Sequence, residues 1–328
     1  MAIFGDLTVQ LDPWQVEYGG ELPMDDVEEP APHEAVSLDV EVAPEDWQPI
    51  RPGEAILPAQ LIFVDGVRRI EARLIVRRQE RLCHGAFGSY AVGAVKVVDL
   101  TAVCESPRIG RIVVVGSGES VGTPVPVKTD LVYQPLSTSD TRPDAPLRAL
   151  QENMRREEER LGRDLASTDG ALVIADGPLT FEEASRAAVL GYIKRIFELY
   201  LPRERLDLLA RLRAGERTPL FAIRSSRRFV RFSWFVRLAR PELADSELSG
   251  IARLEVSETV GIEVARRLAN ASTAILPRFV PRRWRDPRSP QNLLPIGALE
   301  ASLRRHMGDA RLIRRHIETL IATEAHNV

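Results

Sequence analysis

The chain has 328 residues, 44% of them hydrophobic, and a formal net charge of −3. That size and apolar content suit one large or two ordinary globular domains with a sizeable core. No apolar run approaches the roughly 18 residues of a membrane span, and MAIFGDLTVQLDP lacks the basic start and apolar middle of a signal peptide, so a cytoplasmic protein is expected. Cys83 and Cys104 are the only cysteines; without CxxC spacing they signal neither a disulfide framework nor a zinc knuckle, and buried thiols are the expectation.

The first 50 residues hold 13 Asp and Glu and no Lys or Arg, which leaves 44 basic against 34 acidic residues in 51–328, a net charge of +10. A body of that charge can bind a polyanion. Arginine supplies 41 of the 44 basic residues, and its planar fork suits phosphate, although arginine-rich codon usage gives the same count. Residues 1–55 read as an acidic, Pro-rich N-terminal arm, extended or partly disordered. Phe4, Leu7, Trp14 and Trp47 are its candidate anchors, on the body or on a partner. The arm is either a nucleic-acid mimic over a basic groove or a solvated tail.

From Ala59 to Tyr133 the pattern is β: LIFVDGVRRIEARLIV, FGSYAVGAVKVVDL, RIVVVGSGES and VPVKTDLVYQPL, with turn residues between them, predict an antiparallel meander. IVVVGSGESVG imitates a dinucleotide loop, but its third glycine is one place late and Pro124 and Pro126 forbid the helix that would receive a pyrophosphate. Leu147, Leu150, Met154, Leu161 and Leu165 then define the buried stripe of a helix over 147–166. Glu158 falls on that stripe, four after Met154 and three before Leu161. A glutamate there is costly unless it is paired, metal-bound or snorkels to the rim.

ALVIADGPL predicts a second strand delivering a carboxylate, Asp176, as the first run delivers Asp65; in both, the last turn of a buried strand sets the aspartate at the sheet edge. Thr180 with Glu183 reads as a capping box. AAVLGYIKRIFELYL, with Tyr192 and Lys194, is either helix or strand. ERLDLLARLRAG predicts a helix ending at Gly215. FVRFSWFVRLA alternates as a half-buried strand, with Arg231, Ser233 and Arg237 on an exposed basic face. IARLEVSE adds a strand, EVARRLANAS a helix, and the C-terminus a pair of basic amphipathic helices joined at Gly308 and Asp309.

Strand with Asp65, meander, helix with Glu158 and strand with Asp176 resemble the ribonuclease-H-like fold, an α/β mixed sheet with flanking helices. In that fold such carboxylates meet at one sheet edge. Two divalent ions need several hard oxygen ligands while keeping positions open for water and a phosphate oxygen. At the level of motifs, FVDGVRR, ADGPL, GYIK and RWRDPRSPQNLLPIGALEASLRRHMGD resemble the NurA family of DNA-end-processing nucleases, over roughly residues 55–320. The resemblance implies a single nuclease domain over residues 56–328 that depends on Mn2+ or Mg2+, with two ions, and acts on single- and double-stranded DNA ends in double-strand-break resection. It further implies a homodimer working with a HerA-type hexameric translocase, and Asp65, Glu158 and Asp176 as metal ligands.

Two positions depart from the family pattern. Val67 stands where a serine commonly follows the first DG, and the family's C-terminal histidine has no counterpart; His306 and His316 fall on helix surfaces. Asp286 is a candidate fourth ligand, or a turn starter before Pro287. The DNA-holding candidates are Arg68 and Arg69, of which alternation lets only one share the face of Asp65, with Tyr192, Lys194, Arg231 and Arg237. If their segment is a strand beside Asp176, Lys194 contacts the scissile phosphate and Tyr192 on the same face stacks on a base; on a helix, Tyr192 is ordinary core. No Walker loop is present, so ATP-driven unwinding would come from a partner. The alternatives are a DNA-clamping or scaffold subunit whose site has decayed, and an enzyme of the same fold that cuts RNA or a hybrid.

Overall fold

The computed structural model describes residues 3–12, 35–53, 55–99, 101–168, 170–179, 188–196, 198–224, 229–242 and 245–326. Trp14 and the Thr180–Glu183 capping box lie outside the described residues. In chain order the strands and helices are β1 (Thr8–Leu11), β2 (Ala35–Ser37), β3 (Gln60–Arg78), β4 (Arg81–Val98), β5 (Thr101–Cys104), β6 (Arg108–Val115), β7 (Val125–Lys128), β8 (Leu131–Ser137), α1 (Ala145–Ala166), β9 (Ala171–Asp176), β10 (Val189–Ile193), α2 (Arg203–Arg211), β11 (Phe221–Arg224), β12 (Val230–Arg237), β13 (Ile251–Ser257), α3 (Ile262–Ile275), α4 (Leu294–His306) and α5 (Ala310–His326). The strands join one mixed sheet in the order β2-β11-β12-β13-β10-β9-β3-β4-β6-β8-β7, with β1 added on β3 and β5 on β4.

At the centre, β4 runs antiparallel to both β3 and β6, while β3, β9 and β10 are mutually parallel. This is the mixed α/β sheet expected from the sequence: antiparallel strands, a crossover helix, then parallel strands beside the first. The meander ends earlier than alternation suggested, because β8 lies parallel to β6 and only β7 returns antiparallel to it. The glycines after β6 lead into a loop and β7, and no helix follows them. GYIK resolves as a strand through Ile193.

The Asp65 run does not end in a turn, because β3 continues for 19 residues. Its edge has two partners. Residues from Gln60 to Val64 pair with β9, and Leu74 to Arg77 pair with β1, so among the described residues the edge between them is open. Within that gap the register against β4 shifts between Ile70 and Ala72, which leaves Glu71 as an extra residue. A bulge of this kind turns odd positions into even ones. Leu61, Phe63 and Val67 before it, and Ala72, Leu74 and Val76 after it, therefore face the same side.

That side is covered by α3, α4 and α5, and the other side of the central strands by α1, where Ile62, Val64 and Val173 meet Leu150, Met154 and Leu161. Glycines in β4 let both layers close: a side chain at Gly88 would meet Leu150, and one at Gly93 would meet Leu303. Parts of the acidic N-terminal segment belong to the packing. Phe4, Leu7 and Val9 are buried with α5, and Trp47 is buried against Phe221. Glu41 clamps buried Arg217 through two bonds of 2.7 and 2.8 Å. Cys83 is buried, but Cys104 is exposed on β5, contrary to expectation.

β12 is not half-buried. Its second face packs under α2 and the segment around Trp47, so Arg231 and Arg237 are only 7% and 2% exposed. Arg237 donates to the backbone carbonyls of Leu209, Leu212, Glu247 and Ser249, and Arg231 reaches buried Glu255 at 3.4 Å. Alternation reveals which residues share a face but not what covers it. Removing the Arg237 donors strands carbonyls in the interior, at roughly 1–3 kcal/mol for each unsatisfied group. Arg237→Leu should therefore lower the urea unfolding midpoint markedly. An unchanged midpoint combined with weakened DNA binding would return Arg237 to a surface role.

Candidate active site

The parallel pairing of β3 with β9 ends at Val64 opposite Ala175. One step on, Asp65 and Asp176 stand side by side at the start of the open edge. Alternation places both on the α4 side, in phase with Phe63 and Ile174. The third member comes from α4: acceptor oxygens of Asp65, Asp176 and Glu300 all lie within 4.8 Å of one another. Sequence reasoning missed Glu300, although the signal was present. It lies four residues after buried Ile296 and three before buried Leu303, the same phase that singled out Glu158.

Glu158 approaches from the opposite layer. It projects from α1 onto Gly66, whose neighbours Val64 and Ile62 face α1. A Cβ at Gly66 would overlap Glu158 Oε1. The glycine of the DG pair is thus a window in the sheet, not a turn. Through it Glu158 comes near enough for its charge to act on Asp65 and for that of Asp176 to act on Glu158.

The electrostatics follow from crowding four carboxylates out of water. Burial, then the charge of Asp176, raises Asp65 well above the usual carboxylate range, despite the opposing pull of Lys194. Burial and Asp176 push Glu158 up to about 8, against Arg155, Arg68 and the Gly66 backbone N–H. Lys194 sits among the acids, with Nζ 2.6 Å from Asp176 Oδ2 and 3.5 Å from Glu300 Oε1. Burial disfavours its charge, but Asp176, Asp65 and Glu300 outweigh that and hold the ammonium protonated.

A supporting set stands behind these groups. Lys194 donates to Asn292 Oδ1 at 2.9 Å, and Asn292 Nδ2 donates to Asp286 Oδ2 at 2.7 Å. Arg288 bridges Asp286 and Glu300, at 2.8 Å from Glu300 Oε2. Burial raises Asp286, yet hydrogen bonds from Asn292 and Arg288 prevail and keep it below the usual range. Asp286 therefore lies outside the three-carboxylate group and orients Asn292 and Arg288. Buried Glu255 accepts the Leu179 N–H at 2.7 Å, fixing the chain just after Asp176.

The remaining sequence candidates are placed differently. Tyr192 is on a strand, but it points into the core and donates to the Gln291 carbonyl at 2.6 Å, so its ring is not available for stacking. Arg69 grips bulged Glu71 through two bonds of 3.0 Å and caps α4 at the Gly308 carbonyl, also at 3.0 Å. Arg68 lies on the α1 side beside Glu158. His306 is exposed on α4.

Several features of the cluster fit a hard divalent cation. Its donors are all carboxylate oxygens, which suit Mg2+ or Mn2+. Among the described residues Asp65 Oδ2 is buried without a hydrogen-bond partner, an arrangement that costs about 1–3 kcal/mol and that a cation would relieve.

No protein-family model matches this sequence, and no curated protein matches it. Among solved structures, the NurA nuclease from Sulfolobus solfataricus matches with a TM-score of 0.43 and 12% sequence identity, over 86% of this chain and 88% of that one.

Glu158 makes stability depend on pH in a direction opposite to that of an ordinary paired carboxylate. Its folded pKa of about 8 lies above the ordinary 4.5. The folded state therefore keeps a proton that the unfolded state releases, and stability falls as pH rises through that window. In chelator, Glu158→Gln should match wild type near pH 4.5 and melt at higher temperature than wild type above about pH 8. Parallel melting curves at all pH values would contradict this placement.

Proposed function

We propose that the chain is a metal-dependent deoxyribonuclease of the NurA type, processing DNA ends as a homodimer with a HerA-type hexameric translocase. The observation that carries the reading is the meeting of Asp65, Asp176 and Glu300 at the open edge of β3, within 4.8 Å of one another. The DG motifs, the GYIK strand and the net charge of +10 over residues 51–328 support it. The lack of a Walker loop supports an external motor.

Asp65, Asp176 and Glu300 would hold Mn2+ or Mg2+, probed as two ions, with Glu158 supporting them through the Gly66 window. Such ions supply charge stabilisation at the phosphate and an activated water. The chain's own contribution is to keep Asp65 buried and the three acids converged. Lys194 balances their charge and is placed to meet a phosphate oxygen. Asp286, Asn292 and Arg288 hold Lys194 and Glu300 in position.

The test is cleavage of end-labelled single- and double-stranded DNA, with RNA and hybrid controls, in Mn2+ and in chelator. Asp65→Asn, Asp176→Asn and Glu300→Gln should each lose more than the roughly 10- to 100-fold typical of residues behind metal ligands, with melting temperatures retained. Undiminished cleavage by any of the three would remove that residue from the site. A second reading, a DNA clamp without cleavage, draws on the Lys194 ammonium seated on Asp176. Stoichiometric Mn2+ binding with no cleavage of any substrate would select it.

A further inference from the structure

Between α3 and α4 the chain runs FVPRRWRDPRSP, and Trp284 in this segment is 79% exposed, the one exposed aromatic among the large exposed hydrophobic side chains of the described residues. An indole offers a large flat face with one polar edge, which is why tryptophan is enriched at interfaces. Its surroundings are basic. Arg282, Arg283, Arg285 and Arg288 are all exposed. Arg283 is tied to Asp245 and Glu242, and Arg288 to Asp286 and Glu300. Among the described residues, no ion pair engages Arg282 or Arg285. One side of the indole faces a shallow depression where Arg240, Arg282 and Arg283 stand with Glu242 and Asp245.

The segment is also wired to the carboxylate cluster. Arg288 contacts Glu300 at 2.8 Å, four residues beyond the tryptophan, and Asp286 holds Asn292, which holds Lys194. From this combination of an exposed indole, two unengaged guanidinium groups and a direct connection to the site, we infer that Trp284 is a base-stacking platform for unpaired nucleotides of the substrate, with Arg282 and Arg285 contacting the flanking phosphates. Aromatic faces stack any base and arginines track the backbone, which is how sequence-independent single-strand binding is built. The inference rests on the nuclease reading for its substrate and specifies the form that substrate takes: a single-stranded or frayed end. A protein partner is the less favoured occupant, because unengaged arginines that flank the tryptophan in sequence suit a polyanion.

The test measures binding of a labelled oligothymidylate and of a blunt duplex to the full chain in chelator, so that no cleavage intervenes. Trp284→Ala should weaken oligothymidylate binding by roughly 5- to 150-fold, Trp284→Phe should retain most of it, and blunt-duplex binding should change little. Replacing Arg282 and Arg285 by Gln should flatten the salt dependence of single-strand binding. The inference is overturned if Trp284→Ala binds the oligonucleotide as wild type does, if single-strand and duplex binding fall equally, or if the substitution alters only self-association or capture of a protein partner in sedimentation. Mn2+-dependent cleavage, measured separately with Asp65→Asn, keeps the two readings apart: an active enzyme indifferent to Trp284 fails only the stacking role, whereas Trp284-dependent binding without cleavage fails only the nuclease role.

Discussion

Mutual repulsion among converging, largely desolvated carboxylates is the constraint around which this fold is arranged. Asp65, Asp176 and Glu300 converge within 4.8 Å, and Glu158 presses on Gly66 behind them. Such a cluster opposes folding unless cations and surrounding structure offset it. The protein supplies Lys194 at the centre and Arg288 at the rim. The remainder is met by proton uptake, visible in the raised Asp65 and Glu158, or by a bound cation. A scaffold with no use for the cluster would gain stability by replacing one acid with an apolar residue.

The cluster has a place to form because β3 is shared between two partners. β9 covers its first residues and β1 its later ones, and Asp65 stands at the start of the stretch between them that pairs with neither. The bulge at Glu71 keeps the apolar residues on both sides of that gap pointing at one helical layer. Glu71 in turn engages Arg69, which holds the end of α4, the helix that presents Glu300. The arginine pair after the DG motif therefore acts on the site through helix placement.

Much of this was legible in the sequence because it depends on period. Strand runs located Asp65 and Asp176, and helical phase located Glu158; the same phase applied to Ile296 and Leu303 identifies Glu300. What period cannot supply is the covering layer. FVRFSWFVRLA alternates cleanly, yet α2 and the segment around Trp47 close over its second face and make Arg237 an interior clamp. Tyr192 is the converse case: the strand was one of two open alternatives, but the face carrying Tyr192 is roofed by α3 and α4. The acidic N-terminal segment was judged by its composition, whereas Glu41 is decided by a partner far away in sequence, Arg217.

Gly66 connects the two helical layers that would otherwise be independent. α4 reaches the cluster directly, on the face of Asp65, while α1 lies behind the sheet and has no path to it except where a side chain is missing. Any residue larger than glycine there would collide with Glu158 and push α1 or its carboxylate away. The second residue of the DG pair therefore decides whether Glu158 reaches the site from behind the sheet. With the window open, Glu158 adds to the burial and the Asp176 charge that raise Asp65; with it closed, the site would consist of the groups on the α4 side of the sheet.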